Sequence, residues 1–222
     1  MYTGHLYSEV SLRLQSVGVG DVMRSYKYFD IPGIDMICNC IELSTAKQAQ
    51  SAVHQYAKEG MLSEEYGVTG WDFDFRGHKF QADWQAALGV TQRALHLSWV
   101  SMKGCAKRDY PASISYQSPW YKEYGYIENH ISRVNTVLTR GKPVVNIGVI
   151  HPIESMWTML GHKDVSNIHI ETAEKQFTDV IEGLLFNHLD FDFINEGLLP
   201  EQYKSSTDKK LHVGVMAYSS VI

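Results

Sequence analysis

Met61-Leu-Ser-Glu-Glu-Tyr-Gly67 is the stretch that decides how this chain is read. Met61 to Ser63 has the character of a short apolar strand, and it stops abruptly at two carboxylates, an aromatic ring and a glycine. Barrels of parallel strands carry their reactive side chains at the C-terminal strand ends, where the loops open to solvent, while the opposite ends serve stability. Glu64 is therefore the first candidate for chemistry and Glu65 its nearest rival. A pair of solvated loop carboxylates is the plain alternative, since glutamate is mostly an exposed residue.

Outward from that stretch, short apolar runs alternate with segments of helical period, the pattern of βα units and a parallel sheet. Tyr2 to Tyr7 reads as a strand ending at Ser8-Glu9, and Leu12, Leu14, Val17, Val22, Met23 and Tyr26 mark the helical segment after it. Gly33 to Cys38 is a second strand. Ser44 or Thr45 is placed to cap the following helix, whose stripe is Ala46, Ala49, Val53, Tyr56 and Ala57, and Gly60 to stop it. After the Met61 strand come a helix over 80–88, with Trp84 as a packing residue, and a fourth strand over Arg93 to Trp99. A long aromatic loop follows, Lys103 to Tyr121, with Tyr110, Tyr116 and Trp120 and a local Arg108–Asp109 pair. Ile127, Ile131, Val134 and Leu138 then mark one more helix.

The polar stretch Thr139-Arg-Gly-Lys-Pro143 marks a boundary, dividing the chain into 1–140 and 141–222. Beyond it the expected order is a strand over Val144 to Ile150, a helix over Ala173 to Phe186, and strands over Phe191 to Ile194 and Leu211 to Met216. That order suggests the opening of a doubly wound α/β domain. Four βα units are half of an eight-stranded barrel, and both ends of the chain look cut.

Composition narrows the function classes. In 222 residues, 44% are hydrophobic and 20% charged, with a formal charge of −5. Those values are ordinary for a globular protein and give no electrostatic reason to expect nucleic acid. No apolar run approaches the roughly 20 residues that span a bilayer, so no membrane partner is expected. Cys38, Cys40 and Cys105 cannot all pair with one another, which argues for free thiols and a reducing, cytoplasmic compartment. An export signal on a preceding segment stays open. No metal and no cofactor is expected.

Several short motifs, in this order and spacing, carry a family resemblance. They are Tyr2-Thr-Gly-His-Leu-Tyr-Ser-Glu9, Ile31-Pro-Gly-Ile-Asp35, Leu62 to Asp72, Gly77-His-Lys79, Asp83-Trp-Gln85 and His96-Leu-Ser-Trp99. They resemble the second half of the (β/α)8 catalytic barrel, the TIM barrel, of large bacterial glycoside hydrolases. The set is similar to the α-L-rhamnosidase-like group around family 106, with kinship to β-galactosidase-type barrels. Residues 144–222 resemble the start of the class I glutamine-amidotransferase-like, flavodoxin-like domain that follows such barrels.

The resemblance implies a fragment of an enzyme that cleaves glycosidic bonds in plant or microbial polysaccharides. Glu64 matches the carboxylate at the end of the seventh barrel strand, a nucleophile if configuration is retained and a base if it is inverted. Its partner acid usually comes from the fourth strand, before Met1. Two carboxyl groups are needed, about 5–5.5 Å apart for retention or about 6.5–9.5 Å for inversion. A non-catalytic carbohydrate-binding or assembly module is the alternative from another class.

Glu9, His5, Trp71, His78, His96 and Trp99 are the candidate substrate contacts. Indole faces stack on the C–H face of a pyranose, and imidazole nitrogens bond hydroxyls. Glu9 suits hydroxyl binding, and Asp35 is placed to point inward beside it. Each of these has core packing as its plain alternative. No cysteine follows Cys105, so the second segment lacks an amidotransferase nucleophile. It is expected to pack on the barrel or to carry homo-oligomer contacts.

Overall fold

The computed structural model describes residues 1–105 and 112–222; the expected Arg108–Asp109 pair and Tyr110 lie outside the described residues. Four parallel strands, β1 (Thr3–Gly4), β2 (Ile31–Ile37), β3 (Met61–Gly67) and β4 (Val90–Leu95), lie side by side in chain order. Helices connect them: α1 (Leu12–Gly18) and α2 (Val22–Tyr26), then α3 (Leu43–Gln55), then α4 (Phe75–Ala87). After β4 and the long loop comes α5 (Gly125–Leu138). The sheet is open, so the described residues contain half of a barrel's strand count and no closed barrel.

Local chemistry accounts for most departures from the expected boundaries. The first helical segment breaks in two because Gly20 takes φ +85° and the Asp21 carboxylate caps α2 by accepting from the Met23 and Arg24 amides. Neither Ser44 nor Thr45 caps α3; Glu42 is its N-cap residue, and Thr45 donates to the Glu42 carboxylate instead. Gly60 does not end α3 either. The helix stops at Gln55, and Ala57 makes the left-handed turn with φ +51°. The β3 strand runs on through Glu64 to Gly67, so Glu64 lies within the strand.

The second segment holds another parallel sheet, of β5 (Ile147–His151), β6 (Phe191–Asn195) and β10 (Ser220–Val221) in the order β10-β5-β6. Helices α6 (Ile153–Met159) and α7 (Lys163–Leu185) follow β5. The run expected as one strand over 211–216 is a hairpin, because Gly214 turns with φ +60° between β8 (Leu211–Val213) and β9 (Met216–Tyr218). With β7 (Tyr203–Lys204), preceded by the short helix α8 (Leu199–Gln202), the hairpin forms a separate antiparallel sheet. No described helix is long and apolar enough to cross a membrane.

One core serves both segments. Ile34, Met36 and Met61 from the first sheet pack in the same buried cluster as Ala46, Ala49 and Ala52 of α3 and Val149, Phe191 and Phe193 of the second. Burying each large side chain of this kind contributes about 1.5–3 kcal/mol. Helix α3 is the shared wall. Its alanine stripe faces the first sheet, while Ser51 Oγ accepts from the Phe193 amide (2.7 Å) and Gln55 Nε2 donates to the Phe193 carbonyl (2.7 Å). These two side chains satisfy the backbone of Phe193, at the middle of an edge strand.

Candidate functional site

Alternation along β3 sorts its two carboxylates. Adjacent residues of a strand point to opposite faces. Glu64 shares a face with its lateral partners Asp35 on β2 and Ala94 on β4, the face turned away from the helices. Ser63 and Glu65 point to the helix side, where Ser63 Oγ donates to Gln85 of α4 (2.5 Å). There Glu65 is fully buried and accepts from Arg93 Nε at 2.7 Å. Arg93 also reaches Glu128 of α5 (3.4 Å) and the Tyr66 hydroxyl (2.9 Å). Burial pushes the Glu65 carboxyl up against the pull of Arg93. Glu65 is thus a structural ion-pair partner, and of the two glutamates only Glu64 faces the open side.

On the open face, His5 just past β1, Asp35 and Glu64 bring one ligand-type atom each to within 4.8 Å of one another. His5 Nε2 lies 3.0 Å from Glu64 Oε2, with both side chains about one-third exposed. The ring of His96, just past β4, lies against Gly67 and interacts electrostatically with Asp35. Burial and then the Glu64 charge push the Asp35 carboxyl up, against the pull of His5 and His96. For His5, burial lowers the pKa, but the Leu6 carbonyl and the charges of Asp35, Glu64 and Glu9 together leave it raised.

Backbone strain gathers around these strand ends. Ser8, Cys38, Tyr66 and Val68 all take left-handed φ, between 58° and 70°. The β2–β3 register also shifts between Asp35 and Ile37. Such residues cost of order 1–3 kcal/mol each and cluster where a side chain must be aimed.

The remaining expected contacts divide. Trp71 is 40% exposed and meets Trp99 edge-on, ring centroids 5.7 Å apart; Trp99 itself is 7% exposed. Trp71 is thus the exposed ring of the pair and Trp99 the buried one. His78 is a correction. Its ring is fully buried on α4, edge-on to Tyr66, Phe73 and Tyr124, and burial lowers its pKa to about 4. It is a core histidine and reaches no ligand. Glu9 is also turned inward: its Oε1 accepts from the Tyr26 hydroxyl (2.6 Å) and the Leu6 amide (3.1 Å), and burial pushes its pKa up to about 7. Asp35, expected only to point inward and not counted among the substrate contacts, joins the constellation through its place on β2 opposite Glu64.

The second sheet's strand ends look different. Asn195, ending β6, donates from Nδ2 to both oxygens of Asp21 (3.0 and 2.9 Å) and accepts from the Leu198 amide (3.0 Å). Arg24 bridges Asp21 (3.1 Å) and Glu154, and stacks over Trp157 at 5.2 Å. His151, ending β5, is fully buried against Phe177 and Phe193, with Nε2 2.9 Å from Gln48 Oε1; burial lowers its pKa to about 3. Asp21 and Gln48 of the first segment thus occupy the bonding groups at the ends of β6 and β5.

No family model matches the chain, and no curated protein matches it by sequence. Solved structures do. A rhamnosidase from Novosphingobium sp. PP1Y superposes with a TM-score of 0.65 at 15% identity, over 92% of this chain and 19% of that one. A catalytic mutant of a GH42 β-galactosidase from G. stearothermophilus superposes with a TM-score of 0.51 at 12% identity, over 80% of this chain and 28% of that one. The chain therefore spans about a fifth of the rhamnosidase's length. At these identities the likeness concerns the fold alone, a mixed α/β one with parallel sheets.

Proposed function

We propose that the open face of the first sheet is one side of a glycoside hydrolase site. Glu64 supplies a carboxylate to the anomeric centre, as nucleophile or as base. Trp71 stacks on the sugar ring, and His96 bonds its hydroxyls. The observation that carries this reading is the grouping of His5, Asp35 and Glu64, with His96 facing Asp35, across four sequential parallel strands. Asp35 and Glu64 lie within β2 and β3, and the histidines lie just past β1 and β4 on the side where barrel enzymes keep their chemistry. The open sheet is then the C-terminal half of a (β/α)8 barrel whose other strands come from elsewhere. An α-L-rhamnoside is the preferred substrate class, with a β-galactoside second.

Residues 141–222 act in this reading as an amidotransferase-like relative without catalysis. Their strand ends are filled by Asp21 and Arg24, and no cysteine follows Cys105.

Aryl-glycoside hydrolysis and sugar binding, measured for the 222-residue chain and for the longest reading frame that contains it, test the proposal. Hydrolysis that Glu64→Gln reduces by about 10²–10⁴ supports it, the span expected of acid–base groups. Binding without hydrolysis shifts the reading to a carbohydrate-binding module. Neither binding nor turnover in the longer frame overturns both.

A further inference from the structure

The His5 ring is held at both nitrogens. Nδ1 lies 2.7 Å from the Leu6 carbonyl oxygen. A carbonyl only accepts, so Nδ1 carries a proton in that contact. Nε2 lies 3.0 Å from Glu64 Oε2. A neutral ring would bring an unprotonated nitrogen to 3.0 Å from a carboxylate oxygen, and the two attract only as an ion pair, with a proton on Nε2. Imidazole binds that proton more tightly than a glutamate does, by ordinary values of about 6.5 against about 4.3.

We propose that His5 is a positioning residue: as an imidazolium it clamps the Glu64 carboxylate on β3 and leaves Asp35 to carry the site's exchangeable proton.

The surroundings agree with this division. His5 is faced by Glu64 from β3, Asp35 from β2 and Glu9 from its own loop, all acidic. Asp35 is faced by Glu64, His5 and His96, and it faces Glu42 in turn. Among the described residues none donates a hydrogen bond to Asp35, whereas Glu9 has two donors in Tyr26 and Leu6. Of the two carboxyls that share the open face with His5, Asp35 is thus the one left with a like charge beside it and no donor, which favours its protonated form, while Glu9 is turned inward. The hydrolase reading above gives this arrangement its catalytic meaning, a negative carboxylate beside a proton carrier; the charge state itself does not depend on that reading.

Nitrogen-15 and proton NMR of the histidine rings in the 222-residue chain tests the proposal, with the His5 signals assigned by their loss in His5→Gln. The expected result is a ring protonated on both nitrogens at pH 7. Its titration midpoint falls by about one pH unit or more in Glu64→Gln, the scale of a lost opposite charge at short range, and by less in Asp35→Asn. A His5 ring carrying a proton on Nδ1 alone at pH 6 overturns the proposal, as does a midpoint unmoved by Glu64→Gln. Should Glu64→Gln fail to fold, the wild-type ring spectrum decides alone. An imidazolium at His5 without any glycoside turnover would defeat the hydrolase reading and leave this proposal standing; a neutral His5 with turnover lost in Glu64→Gln would do the reverse.

Discussion

The two parallel sheets both end in polar side chains, yet they put them to opposite uses. At the ends of β5 and β6, His151 and Asn195 are fully buried, and Asn195 is bonded to Asp21 of the first segment. On β2 and β3, Asp35 and Glu64 stay partly exposed, with His5 as Glu64's close partner. The same contrast repeats within two residues, because Glu65 is locked to Arg93 while its neighbour Glu64 faces outward. Polar residues at strand ends become a site only where the fold leaves their bonding capacity unspent.

The largest way to break this comparison is Glu65→Ala. Removing one partner of a buried ion pair leaves Arg93 uncompensated, and we expect a loss of about 3–5 kcal/mol in denaturant unfolding. A loss below 1 kcal/mol would remove the distinction between the two glutamates. Asn195→Ala comes next, at about 1–3 kcal/mol, because the buried Asp21 carboxylate loses a donor that reaches both its oxygens.

A pH series sharpens the contrast. Glu9 is pushed from 4.5 up to about 7 by burial, so the folded chain holds a proton that the unfolded chain releases. That contribution is full below about pH 4.5 and is lost as pH rises through 7. His78 and His151, lowered from 6.5 to about 4 and about 3, act oppositely; their contribution is present above 6.5 and is lost as pH falls. Glu9→Gln removes the first effect alone. The change in Tm from pH 5 to pH 7.5 should therefore be more positive in the variant than in wild type, and identical profiles would show that Glu9 is not the proton holder.

The smallest expected stability change is for Glu64→Gln, under about 1 kcal/mol, since the pair it breaks is partly exposed. A loss as large as that of Glu65→Ala would make Glu64 a structural residue and end its candidacy.

Most of the first sheet was legible in the chain, because β-period runs such as Gly33 to Cys38 and Met61 to Ser63 must lie flat to bury one face. The helix stripe Ala46, Ala49 and Val53 was legible for the same reason. What escaped depended on tertiary partners. Gly60 carries the expected chemistry of a stop, but Ala57 turns first. Leu211 to Met216 is apolar enough for one strand, and only the close approach of Gly214 to the Gln55 carbonyl, where a Cβ would sit 2.1 Å away, shows why a glycine turns there. At the site, the expected strand end at Ser63 singled out Glu64, although β3 runs on to Gly67, and His96 lies just past β4 rather than inside the strand expected over 93–99. The inward turns of Glu9 and His78 were not, since the Tyr26 hydroxyl and the aromatic cage that hold them come from distant stretches of chain.

The closing of the β6 edge by Ser51 and Gln55 governs how this protein can be handled. A β-strand neighbour would have donated and accepted through its own backbone; here two side chains of a helix more than a hundred residues earlier do so. Cutting the chain near residue 140 would strip α3 of the partners of Lys47, Ser51, His54 and Gln55, and it would hand the excised remainder a bare edge prone to self-association. Dissection into halves is therefore not a route to a minimal site: the contacts that complete this fold are long-range, and they should make it fold slowly and cooperatively, as one unit.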